Sequence, residues 1–366
     1  MIKHITPKLP SSHLTPAKNL LSRLRLARAA FTTRNVNFTE AHALKRRGVA
    51  PRPGDLVLAE IVDLGQHPRL ENHAGRRGQL YVGDEVIVAY GNRYAPDQFE
   101  AMVPDHLGAC HLAAGGGVAS DVLVRHARMR PATEIRPIGL IARKSGSIMN
   151  LADFALPVPD ATAELPPVIA VVGSSMNAGK TTSAAGIIHG LTRAGFKVGA
   201  AKLTGTGSGG DLWTMRDAGA ITALDFTDAG HASTYMLDLA ELSGITQTLL
   251  GNLGRPDHDI VVVEIADGLF QRETAMLLAE ARQRGWFRSV IFAAGDAMSA
   301  CHGAAMLADM GLPATAITGL LSISPLAARE AEKVSGVPVV SLGMLRDPVQ
   351  VPKLLLGDHA GQSAAA

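Results

Sequence analysis

A doubly wound α/β domain with a mostly parallel sheet, preceded by a smaller β-rich, barrel-like domain with N-terminal helices, is the fold class this sequence predicts. Three observations predict it. The chain has 366 residues, enough for two domains of ordinary size. After Pro167, apolar runs of strand length alternate with helical stretches, the pattern of a parallel sheet covered on both faces. Between residues 51 and 157 several short strand-like runs are punctuated by glycine turns instead. The organisation that follows is 1–50 for a basic arm and helices, 51–157 for the β-rich domain, 158–167 for a proline-bracketed linker, 168–350 for the α/β domain and 351–366 for a tail.

Composition narrows the function classes. Hydrophobic residues make up 47% and charged residues 19% of the chain, a globular balance. No apolar run reaches the roughly 18 residues of a membrane span. Nine Phe, four Tyr and two Trp are too few for an aromatic base-stacking platform, so a nucleic-acid partner is not expected. Two cysteines, Cys110 and Cys301, make no disulfide framework and suit a reducing cytosol, so a cytoplasmic location is expected. The net charge of +2 hides a split: residues 1–50 carry ten Lys or Arg and one acid, Glu40, a net +9, which leaves −7 on the other 316 residues. The basic segment has the acid-poor character of a transit peptide, but its pattern is structural. It reads as an amphipathic appendage packed on the acidic body or on a second subunit, and a homodimer is expected.

Along the chain, residues 1–15 read as an extended arm. Leu20, Leu21, Leu24, Ala27 and Ala30 recur at helical spacing behind a Thr15–Pro16 cap. A short second helix is predicted over Phe38 to Arg47, before Pro51, Pro53 and Gly54 break the pattern. Strands follow at Leu56–Val62, Gly78–Val82 and Glu85–Tyr90, and Gly115–Gly117 is a flexible or close-approach loop. Beyond the linker, strands are predicted at Val168–Val172, Lys197–Lys202, Ile260–Glu264, Ser289–Ala293, Ala314–Ile317 and Val337–Val340. The helices between and after them are Gly179–Ala194, Tyr235–Leu250, Gln271–Arg284, Ala300–Met310 and Pro325–Val334. The Ala-rich end, Ser363 to Ala366, reads as frayed.

The decisive segment runs from Val168 to Thr182. A buried-type strand leads into Gly173, Ser174, Ser175, Met176, Asn177, Ala178 and Gly179, and a helix opens with Lys180, Thr181 and Thr182. That context makes it a phosphate-binding P-loop, a Walker A motif. Small residues let successive backbone N–H groups curl around phosphate oxygens, and the helix N-terminus adds partial positive charge. Lys180 is placed for the β- and γ-phosphates and the Thr181 hydroxyl for Mg²⁺. Five residues separate the glycines where the strict pattern has four. No Asn-Lys-x-Asp guanine motif is present, so ATP with Mg²⁺ is the expected cofactor pair.

The extended loop resembles that of the dethiobiotin-synthetase-like P-loop NTPases, a group that includes cobyric-acid-type amidotransferase ligases, the molybdopterin-guanine dinucleotide adaptor GTPase and partition-type ATPases. In dethiobiotin synthetase the second strand ends in a lysine before a small-residue turn, and Gly199 to Gly207, with Lys202 followed by Leu203, Thr204, Gly205 and Thr206, is similar. The family's next aspartate is matched by Asp211, and its metal-binding glutamate by Glu264 after three valines. Two features depart: the family's proline after the lysine is Leu203, and its glycine-rich stretch after the glutamate is Ile265 to Gly268. The chain also resembles in outline a two-domain P-loop family that includes a D-glutamate N-acetyltransferase.

The loop chemistry and the resemblance together give catalytic roles to Lys180, Lys202 and Glu264, metal ligation to Thr181, Asp211 and Glu264, and substrate contacts to Thr204, Gly205 and Thr206; His231 is added as a substrate residue on its own chemistry, as an acid-binding or proton-shuttling group. Asp267 is a substitute for Glu264, and His231 reads equally as an acid-binding or a helix-capping histidine. The leading function is activation of a small carboxylate-bearing substrate by phosphoryl transfer from ATP, ligase- or kinase-like. The alternatives are a nucleotide-driven switch or adaptor, and an N-acyltransferase using acetyl-coenzyme A. Cys110–His111 and Cys301–His302 would need both domains to meet to make a zinc site. The polar turn Gly65–Pro68 with Arg69, Arg76 and Arg77 reads as a solvated loop. Tyr90 to Asp97 reads as a segment that closes over a site or meets a subunit.

Overall fold

The computed structural model describes residues 17–159 and 165–357. The expected arm, the Thr15–Pro16 cap and the frayed end lie outside the described residues. The N-terminal part runs α1 (Ala17–Leu26), β1 (Arg28–Ala29), β2 (Ala43–Lys45), β3 (Leu56–Asp63), β4 (Arg69–Glu71), β5 (Arg77–Gln79), β6 (Glu85–Tyr90), β7 (Arg93–Tyr94), β8 (Phe99–Met102), β9 (Cys110–Ala114), β10 (Val118–Arg125) and β11 (Thr133–Ala142). The pairings β6–β3–β11–β9–β10 are antiparallel, and β10 pairs back onto β6 in parallel, so the five strands form a circuit. Val57, Ala59, Ile61, Val86, Val88, Leu112, Ala119 and Ile135 meet inside it.

From Ala17 onward the basic segment packs on the acidic body, the first of its two expected seats, and its chain continues into the sheet. Residues Arg28–Ala29 pair with Val86–Ile87 of β6. Arg23 and Arg28 pair with Glu85 and Asp84 at the start of β6, so part of the basic charge is met by acids of this same domain. Phe31, fully buried, packs with Leu212 and Met215 of the other domain. The helix expected over Phe38 to Arg47 is a single 3₁₀ turn at Phe38–Glu40 followed by strand β2. Pairing of Ala43–Lys45 with Leu140–Ala142 overrides the local helical spacing.

The second part runs β12 (Val168–Gly173), α2 (Lys180–Arg193), β13 (Val198–Lys202), α3 (Gly210–Asp217), β14 (Thr222–Asp225), α4 (Leu239–Gly251), β15 (Ile260–Glu264), α5 (Arg272–Arg284), β16 (Ser289–Ala293), α6 (Ala297–Asp309), β17 (Ala316–Thr318), α7 (Pro325–Ser335), α8 (Leu342–Leu345) and α9 (Gln350–Leu356). Its sheet is parallel throughout, in the order β14-β13-β15-β12-β16-β17. Both faces are buried, as a parallel sheet requires. Val168, Ala170 and Val172 of β12 point to the layer of α4, α5 and α6, while Ile169 and Val171 point to the layer of α2, α3 and α9. This is a parallel α/β domain covered by helices on both faces, with β12 feeding its loop into α2.

Helix starts follow their caps. Asp238 and Glu241 form a reciprocal capping box, so α4 begins four residues after Tyr235, the expected start. Asp296 caps α6 at Ala297, three residues ahead of the expected Ala300. Three regions differ more. Helix α3 begins at Gly210, behind a glycine-rich stretch 205–209 that stays a loop, and β14 follows it, two elements where none is expected. Val337–Val340 makes an isolated parallel bridge to Ile317 where a strand is expected. The expected tail is structured through α9, whose Val351 and Leu355 are buried.

The two domains meet along a polar seam. Arg34 pairs with Asp225 at 3.1 Å and Asp228 at 2.6 Å, and Asn35 donates to Asp228 at 2.8 Å. The Tyr235 hydroxyl donates to Glu100 at 2.9 Å. Gly116 approaches the Gly207 carbonyl so closely that a Cβ would sit 2.1 Å from it, which makes Gly115–Gly117 a close-approach loop.

Candidate functional site

The site lies at the carboxyl ends of β12, β13 and β15, where parallel sheets open a crevice for ligands. The loop from β12 curls back through Asn177 at φ 63° and Gly179 at φ 104°, both left-handed. Gly179 supplies the N-cap of α2 in that conformation, which a side chain would strain. Asn177 tolerates its φ as a short polar residue does, and its amide donates to Asp97 of the N-terminal domain at 2.9 Å. The Lys180 ammonium folds over the loop and donates to the Ser175 carbonyl at 2.7 Å and the Asp267 carbonyl at 2.8 Å. It is buried, and burial pulls it below its ordinary value against the pull of Glu264 and Asp267.

Register brings the next groups together. Lys202 ends β13 directly opposite Glu264 at the end of β15. Asp211, on the first turn of α3, forms an ion pair with Lys202. The Thr181 hydroxyl lies 3.1 Å from Asp211 Oδ1 and 3.2 Å from Glu264 Oε1. Glu264 is 2% exposed, and its Oε2 has no partner among the described residues. Burial and the nearby Asp211 charge push its carboxyl up. Burial opposes ionisation of Asp211 as well, but Lys202 overcomes it and holds that carboxyl below its usual range. Burial likewise works against the Lys202 ammonium, and Asp211 and Glu264 more than offset it.

Two carboxylates and a hydroxyl around an orphaned buried oxygen suit a hard divalent cation. Mg²⁺ takes one or two carboxylates and leaves its other positions to water and phosphate. Among the described residues no cluster of three or more His, Cys, Asp or Glu could hold a metal by itself. That also removes the split zinc site: Cys110 is buried in the N-terminal sheet, and Cys301 sits on α6 with its thiol 3.7 Å from the Ala331 carbonyl. Burial pushes the Cys110 thiol up to about 12, so it is an inert thiol.

A cavity of about 370 Å³ is lined by Met176, Asn177, Gly179, Lys180, Thr181 and Thr182, together with Lys202, Asp211 and Glu264. A second, of about 520 Å³, adjoins it and shares Met176, Lys202, Asp211, Ala266 and Asp267. Gly205 and Thr206 line this second cavity. Thr204 and His231 line neither. Thr204 is buried and accepts from the Ala266 amide at 2.8 Å, a loop-fixing role. His231 is largely buried beside α4, and burial lowers its ring below the ordinary value. Gly173, Ser174, Ser175 and Ala178 form the back of the loop, with the Ser174 amide donating to the Ala293 carbonyl at 2.9 Å.

The far wall of the larger cavity is built by the N-terminal domain, from His67, Arg69, Arg77, Arg93, Gln98 and Arg130. The turn expected to be a solvated loop therefore lines a cavity through His67 and Arg69, because the other domain closes over it. The sequence pattern assigns none of these six residues a role in the site. Its one signal is the segment Tyr90 to Asp97, which places Arg93, Tyr94 and Ala95 on the cavity wall and so favours the reading in which it closes over a site.

No protein-family model matches the chain, and no curated protein matches it. Among solved structures, the signal recognition particle receptor FtsY from Elizabethkingia anophelis, solved in complex with GDP, matches with a TM-score of 0.36 and 16% sequence identity, over 55% of this chain and 67% of that chain. Among the described residues no helix is long and apolar enough to cross a membrane.

Proposed function

We propose that this chain binds a nucleoside triphosphate with Mg²⁺ on the loop 173–182 and uses it to phosphorylate the carboxylate of a small acid held in the adjoining cavity. The observation that supports this most is the convergence of Lys180, Thr181, Lys202, Asp211 and Glu264 where the two cavities join. The extended loop keeps a dethiobiotin-synthetase-like relationship as the family proposal, and ATP as the proposed nucleotide. Bound Mg-ATP supplies the transferable γ-phosphoryl group. The loop N–H groups and Lys180 bind its phosphates, with Lys180 exchanging two carbonyl partners for charged oxygens, which make stronger hydrogen bonds. Thr181, Asp211 and Glu264 hold the cation. Lys202, kept protonated by its two acidic neighbours, draws in the substrate carboxylate and offsets the charge that moves between reactants. The proposal extends to a cytoplasmic homodimer, checked by light scattering of the purified chain.

A thermal-shift panel of ATP, GTP and acetyl-coenzyme A, each with and without Mg²⁺, tests the reading. The expected result is stabilisation by ATP that depends on Mg²⁺ and disappears in Lys180→Ala. Stabilisation by acetyl-coenzyme A alone would favour acyl transfer and overturn the proposal. Hydrolysis stimulated by a partner protein and indifferent to small acids would favour the switch.

A further inference from the structure

A buried cation is retained when something neutralises it, and Arg93 has no such partner among the described residues. It is 6% exposed on β7. Its Nη1 lies 3.0 Å from His67 Nε2, its Nη2 donates to Gln98 Oε1 at 2.7 Å, and its Nε is buried with no partner among the described residues. Neither bonded neighbour carries negative charge: burial, and then Arg93 itself, lower His67 to about 4, so its ring is neutral at ordinary pH. Asp97 is the acid whose charge reaches Arg93, and it forms no ion pair with it. Burial accordingly lowers the guanidinium to about 10. With one N–H on His67 and one on Gln98, the second N–H of each Nη remains for a ligand, while the Nε–H is buried without a partner among the described residues.

The surroundings reinforce the imbalance. Arg69, Arg77 and Arg130 stand in the same wall. Of these, Arg77 has an acidic partner, Glu71, at 3.7 Å. The same cavity is also lined by Lys202 and Asp211, beside the loop 173–182. A volume of about 520 Å³ suits a small molecule.

We infer that Arg93, its fork steadied by His67 and Gln98, anchors a second carboxylate of the substrate, so that the acid taken by this site is a small dicarboxylate with one end at Arg93 and the other at Lys202. This rests on the phosphoryl-transfer reading for the role of the Lys202 end only. A planar carboxylate matches a guanidinium fork in two parallel bonds, and water-poor surroundings strengthen both.

The test is calorimetric titration of the full-length protein, with and without Mg-ATP, using malonate, succinate, glutarate and adipate against acetate and inorganic phosphate. At least one dicarboxylate is expected to bind about tenfold or more tighter than acetate and phosphate. Arg93→Met is expected to remove that preference while Mg-ATP still binds. Arg130→Gln, an exposed change in the same wall, is expected to fold normally and weaken the dicarboxylate by a smaller factor, which keeps the test decisive if Arg93→Met does not fold. Dicarboxylates no tighter than acetate, a preference untouched by both variants, or phosphate binding as tightly as the best dicarboxylate would overturn the inference. The nucleotide arm reads separately: a dicarboxylate held through Arg93 without any Mg-ATP response would sink the phosphoryl-transfer reading and leave the anchor standing.

Discussion

Arg34, mostly covered, and Arg93, buried, are arginines of the N-terminal part facing the α/β domain, and they differ in what meets them. Arg34 lies in the seam between Asp225 and Asp228, over the Phe31 ring at 4.2 Å, and despite burial those two acids hold it above its ordinary value. Arg93 lies on the cavity wall beside a neutral histidine and a glutamine, and burial pulls it down. Burial of an arginine with carboxylates closes a structure. Burial without them costs free energy that a fold has no reason to bear unless a ligand completes the charge.

Breaking the closed member of the pair has the largest expected effect. Arg34→Met leaves Asp225 and Asp228 buried side by side without their cation, and should cost about 3–5 kcal/mol of stability in a denaturant titration. A loss below about 1 kcal/mol would show the seam to be solvated and the contrast empty.

The open member predicts a pH dependence. His67 is held near 4 in the fold, first by burial and then by Arg93, against an ordinary 6.5. Between those values the unfolded chain takes up a proton that the folded chain refuses. Stability is therefore complete above pH 6.5 and falls as pH drops toward 4, by about 3 kcal/mol in all. His67→Gln should flatten that part of the profile. An unchanged slope would show that another group titrates there.

The cluster at the phosphate loop sharpens the comparison from the other side, since its cations already have acids. Glu264→Gln keeps the shape of the side chain and removes a charge, so the Mg²⁺ requirement of nucleotide binding should weaken by about 10–100-fold, the range for residues that orient or hold a metal. Titration of Mg²⁺ at fixed nucleotide measures it, and an unaltered requirement would remove Glu264 from the cation site. The smallest change serves as a control away from both arginines. Asp238→Ala removes the α4 cap and should lower stability by about 1 kcal/mol without altering any ligand affinity. A loss of binding with it would mean that α4 communicates with the cavity.

Much of the α/β domain is legible in the amino-acid pattern alone. Ile260–Glu264 and Ser289–Ala293 are strands with the expected bounds, and α2 and α5 begin within one residue of expectation. Those elements announce themselves through local signals: apolar periodicity, and small residues at the loop. Elements held by distant partners are not legible in this way. β2 exists because Leu140–Ala142 pairs with it, and α3 forms directly after a glycine-rich loop because Leu212 and Met215 find Phe31 and the sheet. Of the predicted substrate residues, Gly205 and Thr206 reach a cavity, whereas Thr204 is buried in the fold and His231 lines neither of the two cavities.

By itself the sequence determined the strand–loop–helix unit 168–193, because strand, small residues, Lys180 and Thr181 are contiguous and their spacing already encodes the geometry. It also brought Lys202 and Glu264 to strand ends, since each closes an apolar run. Only the tertiary structure decided that these strand ends lie side by side and that Asp211 turns toward them. It alone carried a second wall of arginines from the N-terminal domain across to them. Charge balance around a buried group is a sum over residues far apart in the chain, and no local pattern records whether Arg34 or Arg93 will be the one that finds a carboxylate.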